Sequence, residues 1–272
     1  MIQSVKIEIF NFSLSGTLEC GQCFRFRKDP DGIYSGVAVG HSIRLRQTDS
    51  ILEVFGIDAG LFENTYSGYL GLNIDYPAIM TSLGEDKTMR KVLERVPGIR
   101  VLRQPLFETL ISFIISQNNN IPRISGIIER LCRSFGDELI GGEYDFPHPG
   151  TLASLTPESL ADIRCGFRDK YIIDAAQRWV SGEIREDILE HAPLNAARSE
   201  LMKIYGVGPK VADCVLLFGA GRFDAFPEDV WIKRAMKELF PEGLPKSAAP
   251  YAGIAQQYIY HYARNHLFKQ LR

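Results

Sequence analysis

A change of hydrophobic period divides this chain. Residues 1 to about 95 hold short runs rich in β-branched and aromatic residues, VKIEIFNF, CFRFRKD, GIYSGVAVG, HSIRLRQ and ILEVFG, broken by Asp-Pro-Asp-Gly and glycine turns. Such runs predict antiparallel strands joined by hairpins. From about residue 76 the apolar residues recur with helical spacing, as in YPAIMTSLGEDKTMRKVLERV and PLFETLISFIIS, and they keep it to the C-terminus. The fold class this predicts is α+β, an antiparallel sheet followed by a mostly helical part. The break near Pro97-Gly98 suits a junction, so a β-rich domain is expected over 1–97 and a helical one over 98–272. Gly136, Pro147, Pro149, Gly166, Gly206, Gly208 and Pro227 punctuate the helical part, which predicts many short helices rather than a bundle.

With 272 residues, 45% of them hydrophobic and 24% charged, the chain can bury a sizeable core and is neither disordered nor fibrous. Its longest apolar stretches, Cys214 to Ala220 and Leu110 to Ile115, fall far short of a membrane span, and the opening MIQSVKIEIF has no apolar signal core. A soluble cytoplasmic protein without membrane association is expected. Five cysteines spread over this length do not make a disulfide framework. Cys20 and Cys23 have the spacing of half a zinc site, but no second pair completes four ligands, so neither a metal nor another cofactor is expected. The net charge of −2 argues against a broad basic coat for nucleic acid. A compact protein can nevertheless hold phosphates with helix-end amides and a few local cations.

The most informative stretch is LMKIYGVGPKVADCVLLFGAGRFDAFPEDVWIKRAM, residues 201–236. A helix ending in LMKIY meets Gly206-Val207-Gly208, and Pro209 then opens a second helix at the first position, where its missing N–H costs nothing. So tight a hairpin leaves amides unpaired at a helix N-terminus, which is a phosphate seat. Lys210 follows at the positive end of the helix dipole, where an ammonium is disfavoured; the plain alternative is a solvated first-turn lysine. The second helix rises roughly 15 Å, and the extended return through GRFDAFPE can span up to roughly 26 Å, enough to bring Asp229 back beside Lys210. Asp229 also sits where an N-cap of the next helix is expected, and the two roles are compatible.

This spaced set resembles the helix-hairpin-helix glycosylase superfamily, and GVGPKVADC is similar to its 8-oxoguanine DNA glycosylase branch. The resemblance implies a bifunctional enzyme of base excision repair, with Lys210 as the Schiff-base nucleophile, Asp229 facing it, and the amides of Gly206, Val207 and Gly208 on the DNA phosphate. ISQNNNIPRISGIIERLCRSFG, residues 111–136, resembles the branch's Asn-rich turn, in which Asn118 and Arg123 would fill the gap left by the flipped base and read the opposite cytosine; read by itself it is a helix-capping loop. CGFRDKY, residues 165–171, resembles the aromatic wedge, with Phe167 entering the stack and Arg168 beside it; the alternative is a buried core Phe.

YAGIAQQYIYHYARNHL, residues 251–267, resembles the helix that reads the base. Gln256 would pair with the Watson–Crick edge, Tyr260 would stack on the purine from one side and Cys214 would close the other, although the tyrosines by themselves read as packing. CGQCFRFR resembles the segment whose glycine carbonyl, here that of Gly21, would accept the extra N7 hydrogen of the oxidised base. The partner so implied is double-stranded DNA carrying 8-oxoguanine opposite cytosine, bound by a monomer. Departures are Phe167 where many relatives carry Tyr, Tyr260 where many carry Phe, and Trp231 where eukaryotic relatives carry His. No iron–sulfur cysteine cluster is present. Rival readings are a monofunctional alkyl-purine DNA glycosylase, which lacks the lysine, and a non-catalytic helix-hairpin-helix DNA-binding protein.

Overall fold

In the computed structural model, which describes residues 3–268, an antiparallel five-stranded sheet precedes a helical domain, the α+β arrangement expected. The strands are β1 (Ser4–Glu8), β2 (Phe26–Lys28), β3 (Tyr34–Ala38), β4 (His41–Thr48) and β5 (Ile51–Phe55), in the order β1-β5-β4-β3-β2. Each coincides with one of the five strand-like runs, β1 and β4 extending one residue beyond theirs, at Ser4 and Thr48. The Asp-Pro-Asp-Gly segment makes the β2–β3 turn: the Asp29 carboxylate accepts from Ile33 N at 2.8 Å and the register pairs Lys28 with Tyr34. Leu45, Leu52 and Val54 are buried on one face, under Leu14, Leu18, Tyr66 and Leu102.

Two helical segments interrupt the stretch read as strand-rich. Leu14–Leu18 is a short helix capped by Ser13, whose hydroxyl accepts from Gly16 N. Residues 59–69 form consecutive helical turns opened by Asp58, whose carboxylate accepts from Leu61 N at 2.7 Å. The first is too short for a helical period to register, whereas the second carries Phe62, Tyr66 and Tyr69 at i, i+4, i+7 spacing; burial of these rings and of Leu14 against the sheet holds both segments.

In the helical part, Leu106–Ser116 is apolar nearly all round because neighbours cover it on nearly all sides. Its Phe113 ring stacks on Phe218 of the helix Pro209–Phe218, with centroids 5.4 Å apart. Tyr76, Ile79, Leu83, Met89 and Val92, from the helices Tyr76–Leu83 and Lys87–Arg95, belong to the same core. The C-terminal helix Ala252–Tyr262 lies against the helix Pro209–Phe218 through Gly253, where a Cβ would sit 2.4 Å from Leu217 Cδ1 and 2.6 Å from the Ala225 carbonyl. Only a residue without a side chain allows that approach.

One buried amide ties the sheet side to the helical side. Gln22, with no exposed surface, donates from Nε2 to the carbonyls of Thr17 and Arg100 at 2.8 Å each and accepts on Oε1 from Leu102 N at 2.9 Å. Its own carbonyl accepts from Gln104 Nε2 at 2.7 Å. Three side-chain bonds and one backbone bond in a dry interior hold the Cys20–Cys23 segment, and Gly21 with it, at one position.

Candidate active site

The helix before the bend, Leu194–Leu201, ends four residues earlier than LMKIY suggests. Its last turn continues through i→i+3 bonds, Lys203 N to Glu200 O and Ile204 N to Leu201 O, before Val207 N closes on Ile204 O; the chain tightens there because Tyr205 N is taken by the Asp174 carboxylate at 2.7 Å. Gly206 has φ +81°. A Cβ there would lie 2.5 Å from the Tyr171 ring, so the bend is seated on an aromatic platform. Arg198 clamps the two helices together by donating from Nε and Nη2 to the largely buried Asp213 carboxylate, at 2.8 and 3.3 Å. No side chain caps the helix Pro209–Phe218, and nothing lies within 4 Å of where a Gly208 Cβ would be. The first-turn amides are therefore open to an anion. A Gly206→Ala variant pays both a left-handed backbone and a ring displaced, and is expected to lose about 2–5 kcal/mol of stability, read as a lowered urea midpoint at unchanged slope.

From this bend Lys210 points into a cavity of about 150 Å³, with Nζ 5.3 Å from the centre of the Phe113 ring. Cys214, one turn on, lines the same cavity; burial pushes its thiol up to about 11, while the charge and hydrogen bond of Lys210 pull it back down. Asp229 reaches the cavity from the N-terminus of the helix Val230–Leu239, which it caps by accepting from Ile232 N at 2.8 Å. Gln256 and Tyr260 enter from the C-terminal helix, and Gly21 from the loop held by Gln22. Tyr260 ionises less readily than an ordinary tyrosine because it is buried, although Arg264 works the other way. Six residues singled out in the sequence, carried by four separate segments, thus share one cleft.

The remaining candidates lie around the Asn-rich turn and the bend. Asn118 is exposed with φ +50°, a left-handed conformation that Asn tolerates. The capping belongs to Asn120, whose side chain accepts from Arg123 N at 3.0 Å; the Arg123 side chain is exposed. The neighbouring Asn119 and Ile121 line the cavity, so this turn forms its rim. Phe167 is 55% exposed, not a core residue, and packs edge-on against Tyr171, the same ring that carries Gly206. Arg168 is buried: Nε donates to the Gln117 carbonyl at 3.0 Å, Nη1 to Cys165 O at 2.9 Å and Nη2 again to Gln117 O. It braces the Asn turn from beneath, with its guanidinium 4.4 Å from the centre of the Phe167 ring. Trp231 packs on Phe268 at 6.0 Å. Sequence reasoning passed over Gln22, Tyr171 and Asp174, which have partners distant in the chain, and Gln257, whose position beside Gln256 gave no sign that both reach the cleft. Among the described residues no three His, Cys, Asp or Glu side chains gather as a metal site.

Residues 4–110 match the family described as 8-oxoguanine DNA glycosylase, N-terminal domain, and residues 111–247 match that of the HhH-GPD superfamily base excision DNA repair protein. The chain is 32% identical over 254 residues to an N-glycosylase/DNA lyase of Saccharomyces cerevisiae, covering 82% of this chain and 67% of that protein. It is 31% identical over 261 residues to an N-glycosylase/DNA lyase of Arabidopsis thaliana, covering 88% and 69%. Among solved structures it is similar to the Clostridium acetobutylicum 8-oxoguanine glycosylase/lyase in complex with double-stranded DNA containing cytosine opposite the lesion. That match has a TM-score of 0.89 and 35% identity over 98% of this chain and 99% of that one.

Proposed function

The chain belongs to the HhH-GPD superfamily of base excision DNA repair proteins, and from that premise we propose a bifunctional glycosylase and β-lyase that removes 8-oxoguanine from duplex DNA. The observation that carries this is the convergence of Lys210, Asp229, Cys214, Gln256, Tyr260 and Gly21 on one cleft beside an uncapped helix N-terminus. The amides of the Gly206–Gly208 bend take the backbone phosphate, Phe167 fills the stack, and Asn118 and Arg123 meet the unpaired cytosine. The flipped base lies between Cys214 and Tyr260, with Gln256 on its Watson–Crick edge and the Gly21 carbonyl on its N7 hydrogen.

Lys210 attacks C1′ as the free amine. The bond from C1′ to the base breaks with its electron pair leaving on the base, and Asp229 stabilises the positive charge that builds on the sugar. The amine adduct opens the sugar ring to a protonated Schiff base, which acidifies the C2′ hydrogen, and loss of that proton expels the 3′ phosphate. A monofunctional alkyl-purine enzyme would leave Lys210 with no task inside the cleft. The reading places the work in the cytoplasm. Among the described residues no helix is long and apolar enough to cross a membrane.

Strand cleavage on duplexes bearing 8-oxoguanine opposite each of the four bases, with and without borohydride, tests the proposal. Cleavage fastest opposite cytosine, with a covalent DNA adduct on reduction, is the expected result; the absence of any adduct with the wild-type protein would remove the lyase. Arg123→Ala is expected to flatten the cytosine preference by about tenfold to a hundredfold, the worth of a forked arginine contact. An equal loss against all four partners would show that Arg123 only holds the backbone.

A further inference from the structure

Gln257, beside Gln256 on the C-terminal helix, is 4% exposed and lines the same cleft. The orientation of both amides follows from one fixed acceptor. The Pro227 carbonyl can only accept, so Nε2 of Gln256 faces it, at 3.1 Å. Oε1 of Gln256 is thereby left to receive Nε2 of Gln257, at 2.6 Å. Turning the Gln256 amide over would set two oxygens against each other. Oε1 of Gln257 then has no donor among the described residues, although it is fully enclosed. A buried carbonyl without a donor is costly, and such groups call for an explanation.

Resting on the reading of this cleft as a guanine-lesion pocket, we propose that Gln257 is a second edge-reading residue that specifies the exocyclic 2-amino group of the flipped base. The guanine edge presents two adjacent donors, N1–H and the 2-amino group, and the paired glutamines present two adjacent carbonyl oxygens. Oε1 of Gln256 keeps a second lone pair for N1–H while it accepts from Gln257. Oε1 of Gln257 takes the amino hydrogen by a small side-chain rotation as the base enters. An adenine-type edge places a lone pair at N1 against the same oxygens and is repelled. Gln257 therefore contributes twice, by orienting Gln256 and by contacting the base itself.

The experiment measures single-turnover base release from two otherwise identical duplexes, one with 8-oxoguanine and one with 8-oxohypoxanthine, which lacks only the 2-amino group, both opposite cytosine. Wild-type protein, Gln257→Met and Gln257→Glu are compared. Differences in the ease of flipping the two bases are common to all three proteins, so a change in the rate ratio reads the pocket alone. Loss of the one hydrogen bond should shift the 8-oxoguanine to 8-oxohypoxanthine rate ratio by roughly tenfold from its wild-type value, the equivalent of about 1.4 kcal/mol. Gln257→Met should lower the ratio by that factor while slowing both substrates. Gln257→Glu, protonated in this enclosed position, keeps an acceptor and a donor and should retain the wild-type ratio. A ratio unchanged in Gln257→Met would overturn the proposal and leave Gln257 as a support for Gln256. If that variant does not fold, a ratio roughly tenfold below the wild-type one in Gln257→Glu would overturn it as well. Borohydride trapping of the wild type on 8-oxoguanine separates the two levels: an adduct with an unchanged ratio sinks only the role of Gln257, whereas no adduct sinks the lyase reading itself.

Discussion

Lys210→Gln is expected to give no borohydride-trapped adduct and to slow base release by a factor on the order of 10⁴ or more, because the nitrogen lone pair of an amide is delocalised into its carbonyl and does not attack C1′. No neighbouring group replaces it. Cys214 is one turn away, but burial holds its thiol protonated at neutral pH, with a pKa of about 11, and a neutral thiol is a poor nucleophile. That same neutrality suits Cys214 to lie flat against an uncharged base. Lys210 Nζ lies over the Phe113 ring, and its helix is held by Arg198–Asp213 and by the Phe113–Phe218 stack. The variant should therefore melt within a few degrees of the wild type, and duplex binding measured by anisotropy should survive, since the bend and the wedge are intact. A residual adduct in Lys210→Gln would assign the nucleophile elsewhere.

Asp229→Asn should reduce single-turnover base release by about 10²–10³-fold while leaving thermal stability unchanged. Asp229 does two things that this substitution separates. As N-cap it accepts from Ile232 N, and Asn caps a helix as well as Asp does. As a carboxylate in the cleft it stabilises the cationic sugar, and a neutral amide aimed at the same place loses most of that electrostatic contribution. Asp229→Ala removes both, and should cost about 1 kcal/mol of stability in addition to the rate. If Asp229→Asn proved as active as the wild type, only the capping role would stand. If both variants lost stability equally, the loss of rate could be laid to a displaced Val230–Leu239 helix.

Local features of the chain were legible before any coordinates. β3, β4 and β5 were visible because β-branched and aromatic runs sit between turns whose residues demand the bend. The glycine bend was visible because Gly206 permits a left-handed backbone closed to most residues while Pro209 fixes φ for a helix start, a combination that suits a tight helix-to-helix connection. The capping role of Asp229 followed from its position after Pro227, and the helix Leu106–Ser116 from its apolar spacing. The helix at 14–18 spans little more than one turn and shows no period, whereas at 59–69 the i, i+4, i+7 spacing of Phe62, Tyr66 and Tyr69 was present and passed over. The early end of the helix before the bend was missed because its cause, Asp174 taking the Tyr205 amide, lies 31 residues away.

What this sequence settled by itself is the succession of five strands and the longer helices after them, the bend and the placement of one lysine and one aspartate at helix N-termini, since each depends on residues within a turn or two of one another. Tertiary structure alone decided that Gly21, Gln256 and Gln257 share a cleft with them, that Arg168 braces the Asn turn, and that Tyr171 carries both the wedge and the bend. Those arrangements rest on buried hydrogen bonds and ring contacts across long stretches of chain, such as Gln22 to Leu102 over 80 residues. The free energy of such contacts is realised only once water is excluded from both partners, so no local pattern in the chain announces them.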